Sequence, residues 1–212
     1  DLYLSLVQQQ LKANHTVYSP DNFAFHAARS LRRWQSEDLC RSVSLRMFDA
    51  TTLINGSVVA DFAEVLRGIT GVEDIALQEV RENESMSAEQ MIVMQDFRRD
   101  FLSDIPNKYH PDSTSILSLF LELNNNYGLV QTKPQLSALA RATVIRKNMQ
   151  DIMALENMFP SIQIERYAAP QSVDLERSRD EWECGNVRSI LDSHEPEVVD
   201  ALKALLPQYN NA

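Results

Sequence analysis

Arginines concentrated in one short stretch are the residues of this chain most suited to chemistry. Five arginines and two acidic residues lie between positions 29 and 46, a local charge of +3 in a chain of formal net charge −10. A guanidinium pairs with phosphate, sulfate or carboxylate through two parallel hydrogen bonds. The stretch therefore predicts a substrate or anion site at Arg29, Arg32 and Arg33. The alternative is a solvated helix face whose arginines pair with acids elsewhere.

The other chemistry-bearing residue types form no catalytic or metal-binding pattern. No HExxH, CxxC, EF-hand or GxSxG spacing occurs, so no metal site is predicted and the catalytic residues remain unknown. Cys40 and Cys184 are far apart in the chain and predict two free thiols rather than a disulfide framework. The four histidines are scattered: His15, His26, His110 and His194.

Composition limits the partners and the location. The chain has 212 residues, of which 44% are hydrophobic, so it is long enough to bury a sizeable core. Its acidic charge disfavours nucleic acid and anionic membranes as partners. The sequence contains neither an apolar run long enough for a transmembrane helix nor a recognisable signal peptide, and we expect a cytoplasmic location.

The elements that must position these residues include a strand–loop–helix unit over 39–69. Apolar and polar residues alternate over Ser42–Phe48, which predicts a strand. After a polar turn, an amphipathic pattern predicts a helix that begins near Ser57 and ends near Gly68 or Gly71. Strand, loop and helix in this order are typical of an α/β protein.

Helices are predicted for most of the remaining chain. The helix over Asp1–Lys12 carries Ser5, and the helix over Asn22–Ser36 carries the three arginines, with Trp34 on its buried face. A stripe of Met and Phe after Ser87 is predicted to be core. Further helices are predicted to start at Ser87 with a capping box, at Asp112 or Ser113, at Thr132 to Pro134, and at Ser193.

Two runs of the sequence resemble the sulfotransferase superfamily. The first run, residues 42–69, reads SVSLRMFDATTLINGSVVADFAEVLRGI. It is similar to a family segment in which a strand with an acidic turn precedes a helix closing on a Phe–Leu pair, here Phe62 and Leu66. The opening DLYLSLVQQQL resembles the helix whose serine contacts the 3′-phosphate of 3′-phosphoadenylyl sulfate, a position that Ser5 occupies here. Asn83–Ser87 resembles a link in bacterial sulfotransferase-like proteins of polysaccharide gene sets. The resemblance covers about residues 1–105.

The resemblance implies a helix-dominated α/β protein, a partial P-loop-type three-layer fold with few strands. Residues 1–80 would be the C-terminal part of the α/β core, and 81–212 a helical region packed on it. The implied reaction transfers a sulfuryl group from 3′-phosphoadenylyl sulfate, without a metal, to a carbohydrate or other hydroxyl acceptor. The implied chain is incomplete for activity, because the family's phosphate-binding loop, partner arginine and catalytic base would all precede Asp1.

Two other functions stay open. The acidic charge, the 5 glycines and the lack of a complete catalytic constellation favour a non-catalytic helical interaction protein, in which Ser5 would be a small packing residue. A glycosyltransferase-like protein from the same kind of gene set would need an acidic metal or nucleotide-sugar site, and no DxD motif supports one.

Overall fold

The computed structural model describes residues 2–36, 40, 43–46, 51–75, 77, 85–105, 109–127, 132–160 and 185–210. Within these residues the protein is helix-dominated and contains neither a strand nor a sheet. Two 3₁₀ turns, Pro20–Asn22 and Ile54–Gly56, and one isolated bridge between Leu136 and Leu191 accompany the helices. The helices are α1 (Leu2–Leu11), α2 (Ala27–Ser36), α3 (Val58–Thr70), α4 (Ala88–Phe101), α5 (Pro111–Tyr127), α6 (Ala138–Lys147), α7 (Met149–Met158), α8 (Val187–Ile190), α9 (Pro196–Ala204) and α10 (Pro207–Asn210).

The predicted helix dominance is confirmed, but the predicted α/β class with a partial P-loop-type three-layer fold is wrong for the described residues. Of the expected strand Ser42–Phe48, residues 43–46 are irregular and the other three lie outside the described residues. A strand persists only where a neighbouring strand satisfies its backbone groups, and alternation in one short run does not provide that neighbour. Arg46 instead binds the carboxylate of Asp61 on α3.

The described chain falls into two compact units that interleave along the sequence. The first unit comprises Asp1–Phe25, Ser85–Met149 and Tyr167–Ala212, and the second comprises His26–Glu84 and Gln150–Arg166. The sequence-based division into 1–80 and 81–212 followed the chain in order, and as a statement about domains it stays a prediction.

Helix α4 is the centre of the first unit. Ser87 accepts a hydrogen bond from the backbone N–H of Gln90, whose side chain accepts one from the N–H of Ser87, so the predicted capping box is confirmed. Every residue from Ala88 to Arg98 is buried. A helix enclosed on all sides must find a partner for each of its polar side chains, because an unpaired buried polar group costs about 1–3 kcal/mol.

Four helices pack around α4: α1, α5, α8 and α9. Their buried apolar residues and those of α4 form one continuous core, which includes Leu11, Met91, Phe97, Phe120 and Leu202. Phe101 extends this core toward α10 through an edge-on contact with the ring of Tyr209. The groove described below is built on this unit.

The second unit contains α2, α3 and α7, and few of its described side chains are buried. Ser57 caps the N-terminus of α3 and Gly71, with φ of 69°, ends it in the left-handed conformation, as the sequence predicted. Only Ala63 and Asp61 of α3 are buried. Several apolar residues of α3 are exposed, among them Phe62 at 54% and Ile69 at 75%.

Three helix starts differ from the sequence prediction by three residues or more; one of them is α9, predicted to start at Ser193, which begins at Pro196. The second helix begins at Ala27 rather than at Asn22, because 20–22 form a separate turn capped by Ser19 and Asn148 holds the chain after that turn. Trp34 is 57% exposed rather than buried. Helix α6 begins after Ser137, which accepts a hydrogen bond from the N–H of Ala140. The expected start at Pro134 is therefore wrong.

Candidate functional site

Ser5 lies on the exposed side of α1 and lines a groove in the first unit. The cavity of this groove has a volume of about 610 Å³ and lies between α1 and the segment 18–24. A volume of this size falls in the range of natural binding sites, about 300–1,000 Å³. Its lining consists of Leu2, Ser5, Leu6, Gln9, Tyr18, Asn22, Phe23 and Ala24.

The two walls of the groove are α1 and the segment 18–24, and hydrogen bonds fix them against each other. The hydroxyl of Tyr3 donates to the carbonyl oxygen of Tyr18 at 2.5 Å, and the side chain of Gln10 accepts from the N–H of Tyr18 at 2.8 Å. The rings of Tyr3 and Phe23 meet edge to face, 5.3 Å apart. Burial, and then the charge of Asp21, raise the pKa of Tyr3, so this hydroxyl stays a donor across the accessible pH range.

The second wall, the segment 18–24, is also held at its C-terminal end by Asn148. The side-chain oxygen of Asn148 accepts a hydrogen bond from the N–H of Phe25 at 2.6 Å, and its amide donates to the carbonyl oxygen of Phe23 at 3.2 Å. Asn148 is buried and ends α6. The segment that carries Phe23 is therefore attached both to α1 and to α6, and the groove is formed before any occupant arrives.

The described residues that line the groove are mainly apolar, and none of them is charged. Leu2, Leu6 and Tyr18 expose 57%, 38% and 53% of their surface. The polar groups among the lining residues are the hydroxyls of Ser5 and Tyr18 and the amides of Gln9 and Asn22, and none of them is a general base at neutral pH. This arrangement suits binding of an apolar group rather than acid–base chemistry.

The donor-contacting role implied for Ser5 stays a prediction. A serine that holds a phosphate does so together with cationic or backbone donors. Among the described residues that line the groove there is no Lys, Arg or His. Within these residues, Ser5 therefore has a place in a groove but no cation beside it.

Arg29, Arg32 and Arg33 all lie on α2, and all three are exposed. The structure thus brings these three predicted residues together on one helix. Ser5 belongs to the first unit and the arginines to the second. Their anion-binding role stays a prediction.

A buried charge cluster that the sequence analysis missed is centred on Asp96 of α4. Asp96 is 1% exposed and receives two hydrogen bonds from Arg188, at 3.0 and 2.7 Å. Lys203 of α9 lies 2.6 Å from the same carboxylate, and Arg99 lies 3.0 Å from it. Asp100 adds a second carboxylate, which accepts from Arg99. No local pattern could have revealed this cluster, because Arg188 is 92 residues away in the sequence.

The cluster keeps Asp96 ionised despite its burial. Burial alone would raise the pKa of this carboxyl, but the hydrogen bonds and charges of Arg188 and Lys203 outweigh it and hold the pKa at about 2. The three cations of the cluster are already paired, because all of them bind the Asp96 carboxylate. We therefore assign this cluster to the stability of the fold.

Other buried polar residues of α4 also serve the fold. Arg98 is fully buried and donates to the carbonyl oxygens of Ala13 and Ile105, at 2.6 and 2.7 Å, beyond the ends of α1 and α4. Glu89 accepts from the N–H groups of Thr132 and Glu195. Each of these side chains connects segments that are distant in sequence.

The described residues contain no group of three or more His, Cys, Asp or Glu side chains arranged to hold a metal ion. Within the same ranges, no helix is both long and apolar enough to cross a membrane. Cys40 is a free, exposed thiol, and Cys184 lies outside the described residues.

No family model matches the chain, and searches of curated proteins and of solved structures likewise return no match.

Proposed function

We propose that this chain is a non-catalytic helical interaction protein, which holds the apolar face of a partner's helix in the α1 groove. The observation that carries this proposal is the uncharged, preformed groove with exposed Leu2, Leu6 and Tyr18 on its walls. Apolar side chains left exposed around a concavity are typical of recognition surfaces.

The shape of the groove favours a helix as its occupant. Helix α1 has 10 residues and is therefore about 15 Å long, which matches two to three turns of a second helix. An amphipathic helix places apolar side chains at i, i+3, i+4 and i+7 along such a length. Addition of an extended peptide would need a free sheet edge, and the described residues contain no sheet.

The opposite face of α1 keeps the groove rigid. Tyr3, Leu4, Val7 and Leu11 are buried in the core of the first unit. The exposed residues of α1 therefore project from a helix that is fixed from behind. A preformed groove binds without the cost of ordering its own side chains and backbone, which favours affinity.

The test uses a displayed library of helical peptides, selected for binding to the protein. We expect the selected peptides to share apolar residues at helical spacing. Leu6→Glu should weaken their binding about tenfold or more, because a buried leucine contributes about 1.5–3 kcal/mol. Ser5→Trp should also weaken it, by filling the groove.

The matched control is Leu205→Glu. Leu205 is 37% exposed, close to the 38% of Leu6, and it lies after α9 and is not among the lining residues. The selected peptides should bind this variant as they bind the parent. Equal losses in both variants, or no loss in either, would contradict the proposal that the groove is the binding site.

A further inference from the structure

The exposed arginines of α2 form a basic face in an acidic chain. At about 100° of rotation per residue, Arg29, Arg32 and Arg33 fall within an arc of about 100° on the helix surface. The sequence of α2, AARSLRRWQS, contains no acidic residue. The helix therefore carries a charge of +3 in a chain of net charge −10.

Two of these arginines have their donors available. Within the described part of the chain, neither Arg29 nor Arg32 makes a hydrogen bond or an ion pair. The arginines that serve the fold differ in this respect. Arg46 binds Asp61, and Arg188 binds Asp96 through both of its terminal nitrogens. The alternative from the sequence was a solvated helix face whose arginines pair with acids elsewhere. The face is exposed, but Arg29 and Arg32 make no such pair within the described residues.

The N-terminus of α2 is already occupied. The N–H of Ala28 donates to the carboxylate of Asp151 at 3.2 Å. Asp151 thus satisfies a free backbone donor and complements the helix dipole. An incoming anion would therefore meet the side-chain face of α2 rather than the end of the helix.

We propose that the α2 face binds a short acidic segment of a partner protein, with Arg29 and Arg32 pairing with its carboxylates. A guanidinium and a carboxylate match in planar, two-point geometry. A short segment brings few negative charges. A nucleic acid brings one charge per phosphate along its whole length, and the overall charge of −10 repels it more strongly. This surface lies on the second unit and the α1 groove lies on the first, and the proposal does not depend on the groove.

The experiment measures fluorescence anisotropy of a labelled short peptide of Glu and Asp added to the full chain. A peptide with Gln and Asn in their place, and a single-stranded DNA of equal net charge, are measured alongside. We expect the acidic peptide to bind and the neutral one not to bind. Raising the salt from about 50 mM to about 200 mM should weaken the complex, because exposed charge pairs are screened.

The decisive variant is Arg29→Glu/Arg32→Glu, which should weaken binding of the acidic peptide about tenfold or more. Its control is Arg146→Glu/Lys147→Glu, two exposed cations in the last turn of α6 with the same change in net charge. The control should retain the parent's affinity within about twofold. The variant Arg29→Gln/Arg32→Gln disturbs folding less. Its affinity for the acidic peptide should lie between those of the parent and of the charge-reversed variant.

Three results would overturn the proposal. Equal losses in the α2 and α6 variants would show that only overall charge matters. If the acidic peptide did not bind to the folded parent, the α2 face would not be a binding site for acidic segments. Tighter binding of the DNA than of the peptide would assign the α2 face to nucleic acid instead.

Discussion

Removal of the charge on Asp96 should destabilise the first unit more than any other single charge change among the described residues. In Asp96→Asn, Arg188 and Lys203 would face a neutral amide. Their side chains are only 32% and 26% exposed, so water replaces the lost carboxylate poorly. Breaking a buried ion pair by removing one partner costs about 3–5 kcal/mol.

The pKa of Asp96 gives a second measure of the same interaction. The fall from its ordinary value of 3.8 to about 2 corresponds to about 2–3 kcal/mol at neutral pH. Because this pKa is lowered in the folded state, the stabilisation is complete above the unfolded value. It is lost as the pH falls from about 4 through about 2. The parent should therefore lose stability over this range, and Asp96→Asn should lack this part of the loss.

The assay is urea denaturation followed by far-ultraviolet circular dichroism, repeated from neutral pH down to about pH 2. The control is Asp100→Asn. Asp100 also accepts hydrogen bonds, from Arg99 and Tyr209, but its side chain is 34% exposed and the expected loss is below about 1 kcal/mol. A loss in Asp96→Asn no greater than in this control would refute the reasoning.

A double variant separates charge from packing. Asp96→Asn/Arg188→Gln removes one of the cations that the first change leaves unpaired. If unpaired charge is the cause, the double variant should be more stable than the sum of the two single losses predicts, by about 1 kcal/mol or more. Simple addition of the two losses would instead point to lost packing.

Two further changes test how segments distant in sequence are joined in the first unit, and a third is the control for the glycine substitution. In thermal melts, Gly185→Ala should lower the free energy of unfolding by about 1–2 kcal/mol, because Gly185 has φ of +58° and a new Cβ would lie 3.2 Å from the Cβ of Thr16. The control Gly68→Ala, inside α3 with nothing within 4 Å of the new Cβ, should raise stability by about 0.5–1 kcal/mol in the same melts. Gln95→Leu should cost about 2–4 kcal/mol, because the N–H of Val187 and two carbonyl oxygens lose their buried partner. A loss below about 1 kcal/mol by urea denaturation would show that water replaces Gln95.

The helices that the sequence predicted well are those whose signals are local. The capping box of α4 and the caps of α3 depend on residues within one turn of each helix end, and the structure confirms them. Local hydrogen bonds decide these features, so the sequence contains the information.

The features that the sequence analysis missed depend on long-range partners. The Met and Phe stripe predicted one buried face of α4, but its polar face is buried too, by segments from distant parts of the chain. Glu89 accepts from the N–H of Glu195, 106 residues away, and Gln95 accepts from that of Val187. The α/β interpretation failed for a related reason, because alternation over a few residues does not specify a neighbouring strand.

The two proposed binding surfaces differ in charge. Four cations of the first unit bind carbonyls or carboxylates of the fold: Arg98, Arg99, Arg188 and Lys203. None of the described residues that line the α1 groove is charged. Peptide binding in the groove should therefore change little with salt, because burial of apolar surface does not depend on screened charges. Binding of the acidic peptide to α2 should weaken steadily as the salt is raised from about 50 mM to about 200 mM. At either salt concentration, peptide binding in the groove should depend on Leu6, and binding of the acidic peptide should depend on Arg29 and Arg32.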